Sequence, residues 1–259
     1  MSLSVIIITL NEEINIARAI KSASFAQEII VVDSQSSDQT TNIAEKMGAK
    51  VFSEAFQGYG QQKNFALSKC SQEWVFWLDA DEQIDEQLAE QISKAIKSDD
   101  SDFFSINRKT QFVNKWIHHG GWYPDHIIRL FKREKGKFSE PKVHEKIVDL
   151  EGNTPHFKIL PGHLLHYSFP TIQSQINTNS KYAALGANQL LEKMPSGPSM
   201  FSLFLKPIGK FLECFFWKRG FLDGLHGFII AVNAAHSIFQ KYCIAFMKSH
   251  TSSNNSSND

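Results

Sequence analysis

The chain has 259 residues, of which 42% are hydrophobic and 21% charged, a composition that is typical of globular proteins and excludes disordered or fibrous ones. Its formal net charge is zero, but the charge is unevenly distributed: residues 1–154 contain 18 Lys+Arg and 23 Asp+Glu, and residues 155–259 contain 9 and 4. The basic C-terminal part indicates either an anionic surface or partner, or a solvated helical face. We expect no nucleic-acid partner.

The cysteines and the apolar runs indicate a cellular compartment. The three cysteines are far apart and include no CxxC pair: Cys70, Cys214 and Cys243. This spacing argues against a disulfide scaffold or a zinc ribbon and fits a reducing environment. The first apolar run is too short for a signal peptide, and the longest uncharged stretch of the last third, residues 224–240, contains two histidines and an asparagine. We therefore predict a cytoplasmic protein without membrane spans.

The first hundred residues alternate between strand and helix patterns. Runs of β-branched and aromatic residues predict strands at 4–9, 28–33, 49–53 and 73–78. Helical patterns follow these strands, opening near residue 11 and covering 36–48, 60–70 and 85–98. Strands that alternate with helices of this length predict right-handed βαβ units and a parallel sheet.

The rest of the chain divides into a strand-rich part and a helical part. Residues 102–168 contain three strand-like segments, with the loop-rich segment NKWIHHGGWYPD between the first two. From residue 171 the pattern is helical, and residues 199–221 mix large apolar side chains with four basic ones: Lys206, Lys210, Lys218 and Arg219. That mixture predicts a helix at an interface, or one that packs back onto the core. The last residues, 251–259, are polar and are predicted to form a disordered tail.

Polar motifs stand near the ends of the predicted parallel strands. TLNEE (9–13) follows the first strand, VVDSQSSDQT (31–40) contains the end of the second, and LDADE (78–82) ends the fourth, while QQKN (61–64) precedes it. Because ligands of parallel α/β sheets bind at the carboxyl ends of the strands, these motifs predict one site. Carboxylates that share a cation with phosphates suit Mg²⁺ or Mn²⁺, so we expect a nucleotide and a divalent metal.

In this order and spacing, the motifs VIIITLNEE, VVDSQSSDQT, QKN and WLDADE resemble those of the inverting glycosyltransferases of family 2. With GGWYPDHIIRLF and VHEKI, they resemble the branch that builds lipopolysaccharide inner cores by transferring glucose from UDP-glucose to a heptose. The resemblance implies an α/β protein of the GT-A fold, with a mostly parallel sheet flanked by helices. We expect a catalytic domain over residues 1–170 and a helical, membrane-peripheral extension over 171–250.

The resemblance also implies the ligands and the residues that contact them. The donor would be a UDP-sugar, and the acceptor a lipid-linked lipopolysaccharide core at the inner face of the cell membrane. The nucleotide-sugar contacts that it implies are Thr9, Asn11 and Glu12 around the uridine, Asp33 at the uracil, Lys63 (where the family usually has arginine) at the nucleotide or diphosphate, and Asp79 at the ribose. Asp81 would hold the divalent metal, Mg²⁺ or Mn²⁺, on the diphosphate, where the cation stabilises the developing negative charge.

Two carboxylates are candidates for the base that deprotonates the acceptor hydroxyl, Asp125 and Glu145. Asp125 stands roughly where the family has an acidic pair, or else it is structural and pairs with Arg129, four residues on. His166 is the first choice for completing the metal shell, with His163 and His144 as alternatives, although single histidines are more often structural. Two more histidines either shape an acceptor pocket or belong to a buried aromatic cluster: His118 and His119, beside Trp116 and Trp122.

Two other functions fit the same motifs. A family 2 enzyme that glycosylates polyprenyl phosphate would need no base, because its acceptor is already anionic, but many such enzymes end in membrane spans. A membrane-peripheral binding protein that keeps the fold would need no catalytic carboxylates. The sequence contains neither a Walker motif nor a dinucleotide-binding glycine fingerprint, so an NTPase or a dinucleotide-dependent enzyme is not expected.

Overall fold

The computed structural model describes residues 2–140 and 145–255. The chain forms two compact units: unit 1 comprises residues 1–109 and 125–167, and unit 2 comprises residues 110–124 and 168–259. Unit 2 therefore includes the segment 110–124, which the predicted boundary at residue 170 places in the catalytic domain. Of the tail that was predicted to be disordered, residues 251–255 continue the last helix, and residues 256–259 lie outside the described part of the chain.

The secondary structure alternates as predicted over the first hundred residues. The strands of the described residues are β1 (Leu3–Thr9), β2 (Glu28–Asp33), β3 (Lys50–Ser53), β4 (Trp74–Asp79), β5 (Glu82–Ile84), β6 (Phe103–Phe112), β7 (Lys115–Trp116), β8 (Asp125–Lys132), β9 (Gly136–Phe138), β10 (Ile147–Asp149) and β11 (Lys158–Phe169). The α-helices are α1 (Ile16–Ser22), α2 (Thr40–Lys46), α3 (Tyr59–Ser68), α4 (Glu86–Ser98), α5 (Ile172–Lys193), α6 (Met200–Leu212) and α7 (Leu225–Asn255).

The main sheet is mixed, and its parallel half comes from the first four strands. These lie in the order β3-β2-β1-β4, and β1 is paired in parallel with both β2 and β4. Beyond β4 the sheet continues through β8, β6, β11 and β5, where β8 is antiparallel to both β4 and β6. The predicted large sheet flanked by helices, with a helical C-terminal part, is confirmed, but the sheet is mixed where a mostly parallel one was expected, because β8, β6 and β5 join it through antiparallel pairings.

Strand β4 is buried on both faces, which explains its unbroken apolar sequence. Trp74, Phe76 and Leu78 pack in the cluster that includes residues of α1 and α4, and Val75 and Trp77 pack in the cluster that includes Ala66 of α3. Because side chains alternate along a strand, Asp79 at the strand end shares the face of Trp77. The fold thus presents Asp79 on the α3 side of the sheet edge.

Unit 2 is mainly helical. Its helix α7 packs against α5 and α6, and a π-helical turn (Glu213–Trp217) and a 3₁₀ turn (Gly220–Asp223) lie between α6 and α7. A small core of Phe112, Ile117 and Ile230 anchors the segment 110–124 within this unit. Among the described residues, no helix combines the length and the apolar content that crossing a bilayer requires.

At the amino end of the parallel sheet, Glu28 is a buried carboxylate with several donors. It accepts hydrogen bonds from Ser4 Oγ (2.6 Å), from the Ser71 backbone N–H (2.6 Å) and from Lys50 Nζ (2.8 Å). Burial alone would raise the pKa of Glu28, but these donors outweigh burial and lower the pKa to about 2. The ionised carboxylate therefore ties β1, β2 and the chain before β4 together.

This ion cluster predicts a specific pH dependence of stability. Because the folded pKa of Glu28 lies below the unfolded value, its contribution is complete above about pH 4.5 and is lost as the pH falls towards 2. We expect Glu28→Gln to lower the free energy of unfolding by about 3 kcal/mol at pH 7, and by progressively less between pH 4.5 and 2. Urea titrations across this range check it, with the exposed Glu90→Gln as control; equal losses at pH 7 and pH 2.5 would contradict the assignment.

Candidate functional site

The carboxyl ends of β1, β2 and β4 meet at one edge of the sheet. In the strand register, Thr9 is opposite Asp33, and Ile8 is opposite Asp79. The motifs TLNEE, VVDSQSSDQT and LDADE, which end or follow these three strands, are therefore neighbours in space, as the sequence predicted.

The loops after β1 and β2 are bound to each other by polar contacts. Asp33, which is 2% exposed, accepts hydrogen bonds from the backbone N–H (2.8 Å) and the hydroxyl (2.5 Å) of Ser36. Asn11 adopts the left-handed conformation, which asparagine tolerates, and its Oδ1 accepts from the Ser37 N–H at 2.8 Å. The buried hydroxyl of Thr9 has no hydrogen-bond partner among the described atoms. Three of the predicted uridine contacts thus form one polar rim.

Glu12 lies further along the first loop. Its carboxylate accepts a hydrogen bond from Asn15 Nδ2 at 2.7 Å, and its backbone N–H donates to Thr40 Oγ1 at 2.8 Å. Burial raises the pKa of Glu12, and the nearby carboxylates of Asp81 and Asp38 raise it further. Glu12 is therefore within electrostatic reach of Asp81.

Asp79, at the end of β4, is held by hydrogen bonds from two side chains and by nearby positive charges. Its Oδ1 accepts from Trp77 Nε1 at 2.9 Å, and its Oδ2 lies 3.0 Å from Arg129 Nη2. Burial favours the neutral acid, but the charges of Arg129 and Lys63 outweigh burial and hold the pKa of Asp79 well below its usual range. Asp79 is thus an anion at neutral pH.

The indole ring of Trp77 lies against two buried cations. Arg129 Cζ is 3.6 Å and Lys63 Nζ is 3.3 Å from the ring centroid, within the range of cation–π attraction. Arg129 is 1% exposed and Lys63 is 2% exposed. Burial lowers the pKa of Lys63, while the charges of Asp79 and Glu145 oppose that effect. The two cations offset the negative charge that LDADE concentrates at the strand end.

Lys63 forms an ion pair with Glu145, one of the two base candidates. Lys63 Nζ and Glu145 Oε1 are 2.5 Å apart, and the Glu145 side chain is 14% exposed. Both side chains are therefore engaged with each other in this structure, although Lys63 was predicted to contact the nucleotide or the diphosphate. The neighbouring residues 141–144 lie outside the described part of the chain, and His144, a candidate metal ligand, is one of them.

Asp81 and His166, the two predicted metal ligands, are in contact. Their Oδ2 and Nε2 atoms are 3.2 Å apart, although the residues are 85 positions apart in the sequence. Strand pairing brings them together: β11 runs antiparallel to β5 with His166 opposite Glu82, and the Tyr167 N–H donates to the Asp81 carbonyl at 2.9 Å. Burial lowers the pKa of His166, but the hydrogen bond and charge of Asp81 prevail and raise it.

No group of three or more His, Cys, Asp and Glu side chains suited to a metal occurs in the described residues. Asp81 and His166 therefore form a two-residue donor set of one oxygen and one nitrogen. A divalent cation held by this pair would take its remaining positions from phosphate oxygens and water. His163, an alternative ligand, instead contacts Asp85 at 3.3 Å, where Asp85 caps helix α4.

Asp125, the other base candidate, pairs with Arg108. Its Oδ2 accepts from Arg108 Nε at 2.9 Å and lies 2.7 Å from Arg108 Nη2. The predicted alternative, a pair between Asp125 and Arg129, is wrong. A β-bulge explains this, because Phe104 is opposite Leu130 while Ser105 is opposite Ile128, which leaves Arg129 as the extra residue. The bulge directs Arg129 to Asp79 and Glu82.

The cluster also contains residues to which the sequence analysis gave no role: Trp77, Glu82 and Arg108. Glu82 is fully buried; its Oε1 lies 2.7 Å from Arg129 Nη2, and its Oε2 accepts from the Asp79 N–H at 2.9 Å. The sequence did contain a signal for Arg108 and Arg129. Both stand within strand-like runs, where a charge is expensive unless an opposite charge meets it.

In unit 2, the two histidines that were considered for an acceptor pocket are bound to Asp223. The backbone N–H groups of His118 and His119 donate to Asp223 Oδ2 at 3.1 and 2.8 Å. The His118 ring also contacts Tyr123, with centroids 5.7 Å apart. These contacts describe a fixed turn within unit 2.

Residues 4–152, more than half of the chain, match the family described as Glycosyl transferase family 2. The chain belongs to glycosyl transferase family 2. The family, the enzyme class and the fold expected from the motifs are thereby confirmed, and a family 2 enzyme uses a nucleotide-sugar donor.

The relatives of this family 2 enzyme include a protein of lipopolysaccharide synthesis. The lipopolysaccharide core biosynthesis glycosyltransferase LpsC of Rhizobium meliloti is 32% identical, over 94% of this chain and 94% of LpsC. Among solved structures, S. aureus TarS residues 1–349 has a TM-score of 0.48 at 18% identity, with 97% of this chain and 92% of that one covered. Glucosyl-3-phosphoglycerate synthase of Mycobacterium tuberculosis, solved with Mn²⁺, UDP and phosphoglyceric acid, has a TM-score of 0.37 at 24% identity, covering 42% and 43%.

Proposed function

We propose that this family 2 enzyme transfers glucose from UDP-glucose, with inversion, to a heptose of the lipopolysaccharide inner core, and that it uses Mg²⁺ or Mn²⁺. The observation that carries the metal-dependent part is the contact between Asp81 and His166, 3.2 Å apart at the carboxyl edge of the sheet. The core acceptor rests on the likeness to LpsC along nearly the whole chain. Glucose as the transferred sugar rests on the resemblance of the motifs.

The rim formed by the first two loops suits the uridine. Asp33 already accepts two hydrogen bonds from Ser36, but a carboxylate has about four acceptor positions, so it retains capacity for the uracil N–H. The unpartnered hydroxyl of Thr9 and the backbone of Asn11 and Glu12 border the same edge. Asp79 would accept from the ribose, while its pairing with Arg129 keeps it ionised.

Asp81 and His166 would hold the cation on the donor diphosphate. The bound cation stabilises the negative charge that develops on UDP as the bond to the sugar C1 breaks. Asp79 is paired with Arg129, whereas Asp81 is the acid of LDADE that contacts His166. In this assignment each of the two aspartates has one role.

Asp125 suits the role of base better than Glu145 does. The Asp125 side chain is 35% exposed, whereas Glu145 is 14% exposed and is bonded to Lys63. Arg108 contacts only Oδ2 of Asp125, and no hydrogen bond among the described residues involves its Oδ1. That oxygen would accept the proton of the acceptor hydroxyl as it attacks C1 from the face opposite UDP. A single displacement of this kind inverts the anomeric carbon and needs no covalent intermediate.

A membrane-peripheral position is supported by the surface of α6 and the turn that follows it. None of the residues of α6 is buried, and apolar side chains are exposed at helical spacing: Phe201, Phe204, Leu205, Ile208, Leu212 and Phe216. Trp217 is 86% exposed, and Lys206 and Arg219 are exposed beside these residues. Large apolar side chains interspersed with cations are typical of helices that lie in an anionic membrane surface. We therefore place this face on the cytoplasmic leaflet, where a lipid-linked acceptor would lie.

The proposed function predicts, first, that UDP binding depends on the metal. We expect Asp81→Ala and His166→Ala to weaken UDP binding in Mn²⁺ at least about tenfold, since even the loss of a group that only hydrogen-bonds to a metal ligand costs about 10- to 100-fold in metal affinity or activity. With EDTA, wild type should bind as weakly as the variants. Isothermal titration checks this, with the exposed Asp100→Ala as control. Wild-type affinity that is equal in Mn²⁺ and EDTA would contradict the metal assignment; a complete lack of UDP binding would favour a non-catalytic binding protein.

The identity of the base is the second prediction. Asp125→Asn keeps an acceptor for Arg108 but cannot take a proton, so we expect kcat to fall about 10²- to 10⁴-fold while the affinity for UDP is unchanged. Glu145→Gln is the matched comparison and should have a smaller effect on kcat. Initial rates with a heptose-terminated core acceptor and UDP titrations separate the two quantities. Full activity of Asp125→Asn on polyprenyl phosphate would instead identify the acceptor that needs no base.

Membrane docking is the third prediction. We expect Lys206→Glu with Arg219→Glu to weaken binding to phosphatidylglycerol vesicles at least roughly 30-fold, because each basic residue near an anionic surface contributes about 1 kcal/mol and each new carboxylate is repelled by that surface. Lys210 and Lys218 are left unchanged, since both contact Glu213, at 3.1 and 2.6 Å. Lys181→Glu with Lys193→Glu, on α5, is the charge-matched control. Equal sedimentation of wild type and the α6 variant with these vesicles would refute docking through this face.

A further inference from the structure

Glu82 is the most deeply buried acid of the LDADE motif, and it has partners on two sides. Its Oε2 accepts the Asp79 backbone N–H at 2.9 Å. Its Oε1 lies 2.7 Å from Arg129 Nη2 and 3.8 Å from Arg108 Nη1. Its side chain is fully buried, so it cannot touch donor or acceptor itself. Any role in the reaction must therefore be exerted through its partners.

One set of these contacts leads to the donor side. The same atom, Arg129 Nη2, lies between Glu82 Oε1 at 2.7 Å and Asp79 Oδ2 at 3.0 Å. Glu82 therefore fixes Asp79 twice, through its backbone N–H and through the arginine that pairs with its carboxylate. The direction of the Asp79 side chain at the nucleotide edge depends on both.

The other contact leads to the proposed base. Arg108 presents Nε and Nη2 to Asp125 and turns Nη1 towards Glu82. A guanidinium is planar and rigid. The contact of Nη1 with Glu82 therefore fixes the plane in which Nε and Nη2 meet Asp125. Five side chains of alternating sign thus run without a break across the site: Asp125, Arg108, Glu82, Arg129 and Asp79.

Stability gives little reason to bury a charge in the middle of this series. Replacing a buried ion pair or triad by apolar side chains of similar volume is often neutral or stabilising, because the desolvation of the ions is so costly. A buried acid that is held by two arginines therefore points to a role in geometry. We propose that Glu82 is a positioning residue that couples Asp79, on the donor side, to Asp125, the base. This inference rests on the proposed function.

The test is a double-mutant cycle between Glu82 and Arg108 with two separate measurements. One is the Kd of UDP in Mn²⁺ by isothermal titration, and the other is kcat for UDP release from UDP-glucose with water as acceptor. Water also has to lose a proton in this reaction, so its kcat reports on the base. The variants are Glu82→Gln, Arg108→Gln and the double variant, with the exposed Glu90→Gln as control.

We expect Arg108→Gln to lower kcat roughly 10-fold while UDP affinity stays within about 2-fold, because the ion pairs of Arg108 among the described residues are with the base and Glu82. Glu82→Gln should lower kcat and also weaken UDP binding. A glutamine side chain has one acceptor oxygen and one donor NH₂ group, so it cannot accept hydrogen bonds from both Arg129 and the Asp79 N–H. The double variant should have the kcat of the slower single variant. Glu82→Asp, which keeps the charge, should recover part of both losses.

The outcomes separate this inference from the function on which it rests. Effects of Glu82→Gln and Arg108→Gln that multiply in kcat would overturn the coupling, as would a folded Glu82→Gln protein with a lower melting temperature and wild-type kcat. If Glu82→Gln fails to fold, wild-type kcat in Arg108→Gln overturns it alone. A wild type that neither binds UDP nor releases it from UDP-glucose would overturn the proposed function, and this inference with it.

Discussion

The site depends on two cations that lie beneath the acidic end of β4. Arg129 and Lys63 contact the ring of Trp77, and together they keep Asp79 ionised in a position where burial alone would neutralise it. Without them, three acids within four positions would repel one another, and it would be costly to bury charged carboxylates at the end of this strand. Arg129 pairs with Asp79 and Glu82, while the pairing of β11 with β5 brings the third acid, Asp81, into contact with His166.

The carboxylates of the site therefore differ in their surroundings, and we assign them different roles. Asp79 is ionised and fixed by arginine, Glu82 is buried and holds two arginines, and Asp125 is partly exposed with one oxygen directed to Arg108. Acids in such separate environments suit the proposed division of labour, in which one contacts the nucleotide, one holds a cation and one accepts a proton. Asp79 and Glu82 belong, with Asp81, to one seven-residue stretch, FWLDADE, and the β-bulged neighbouring strand β8 supplies Asp125.

The sequence predicted those parts of the fold that depend on local patterns. Strands such as β1 and β4 are continuous apolar runs, and the polar residues that end them must meet at one edge of a parallel sheet, so the neighbourhood of Asp33 and Asp79 followed directly. His166 was the first choice among three histidines for a position beside Asp81, and the pairing of β11 with β5 brings these two residues into contact. A short motif and a known topology were sufficient for the strand ends, but the histidine needed the folded chain.

Contacts that depend on a local irregularity or on a distant pairing were not predictable in the same way. The pairing of Arg129 depends on a bulge that no residue pattern in DHIIRLF predicts, and so the structural alternative that paired Arg129 with Asp125 was wrong. The Lys63–Glu145 pair joins residues 82 positions apart, and only the folded chain brings them together. Similarly, residues 110–124 join unit 2 through side-chain packing around Phe112 and Ile117, which strand and loop propensities do not encode.

The most direct test of this division of roles is a crystal structure of the protein with UDP and Mn²⁺, with the metal located by its anomalous scattering. The account predicts one Mn²⁺ peak about 2.0–2.6 Å from Asp81 and His166 and from the diphosphate oxygens, with Asp79 still paired to Arg129. A metal bound by Asp79 in place of Asp81, or UDP bound in the site without any metal peak, would contradict it.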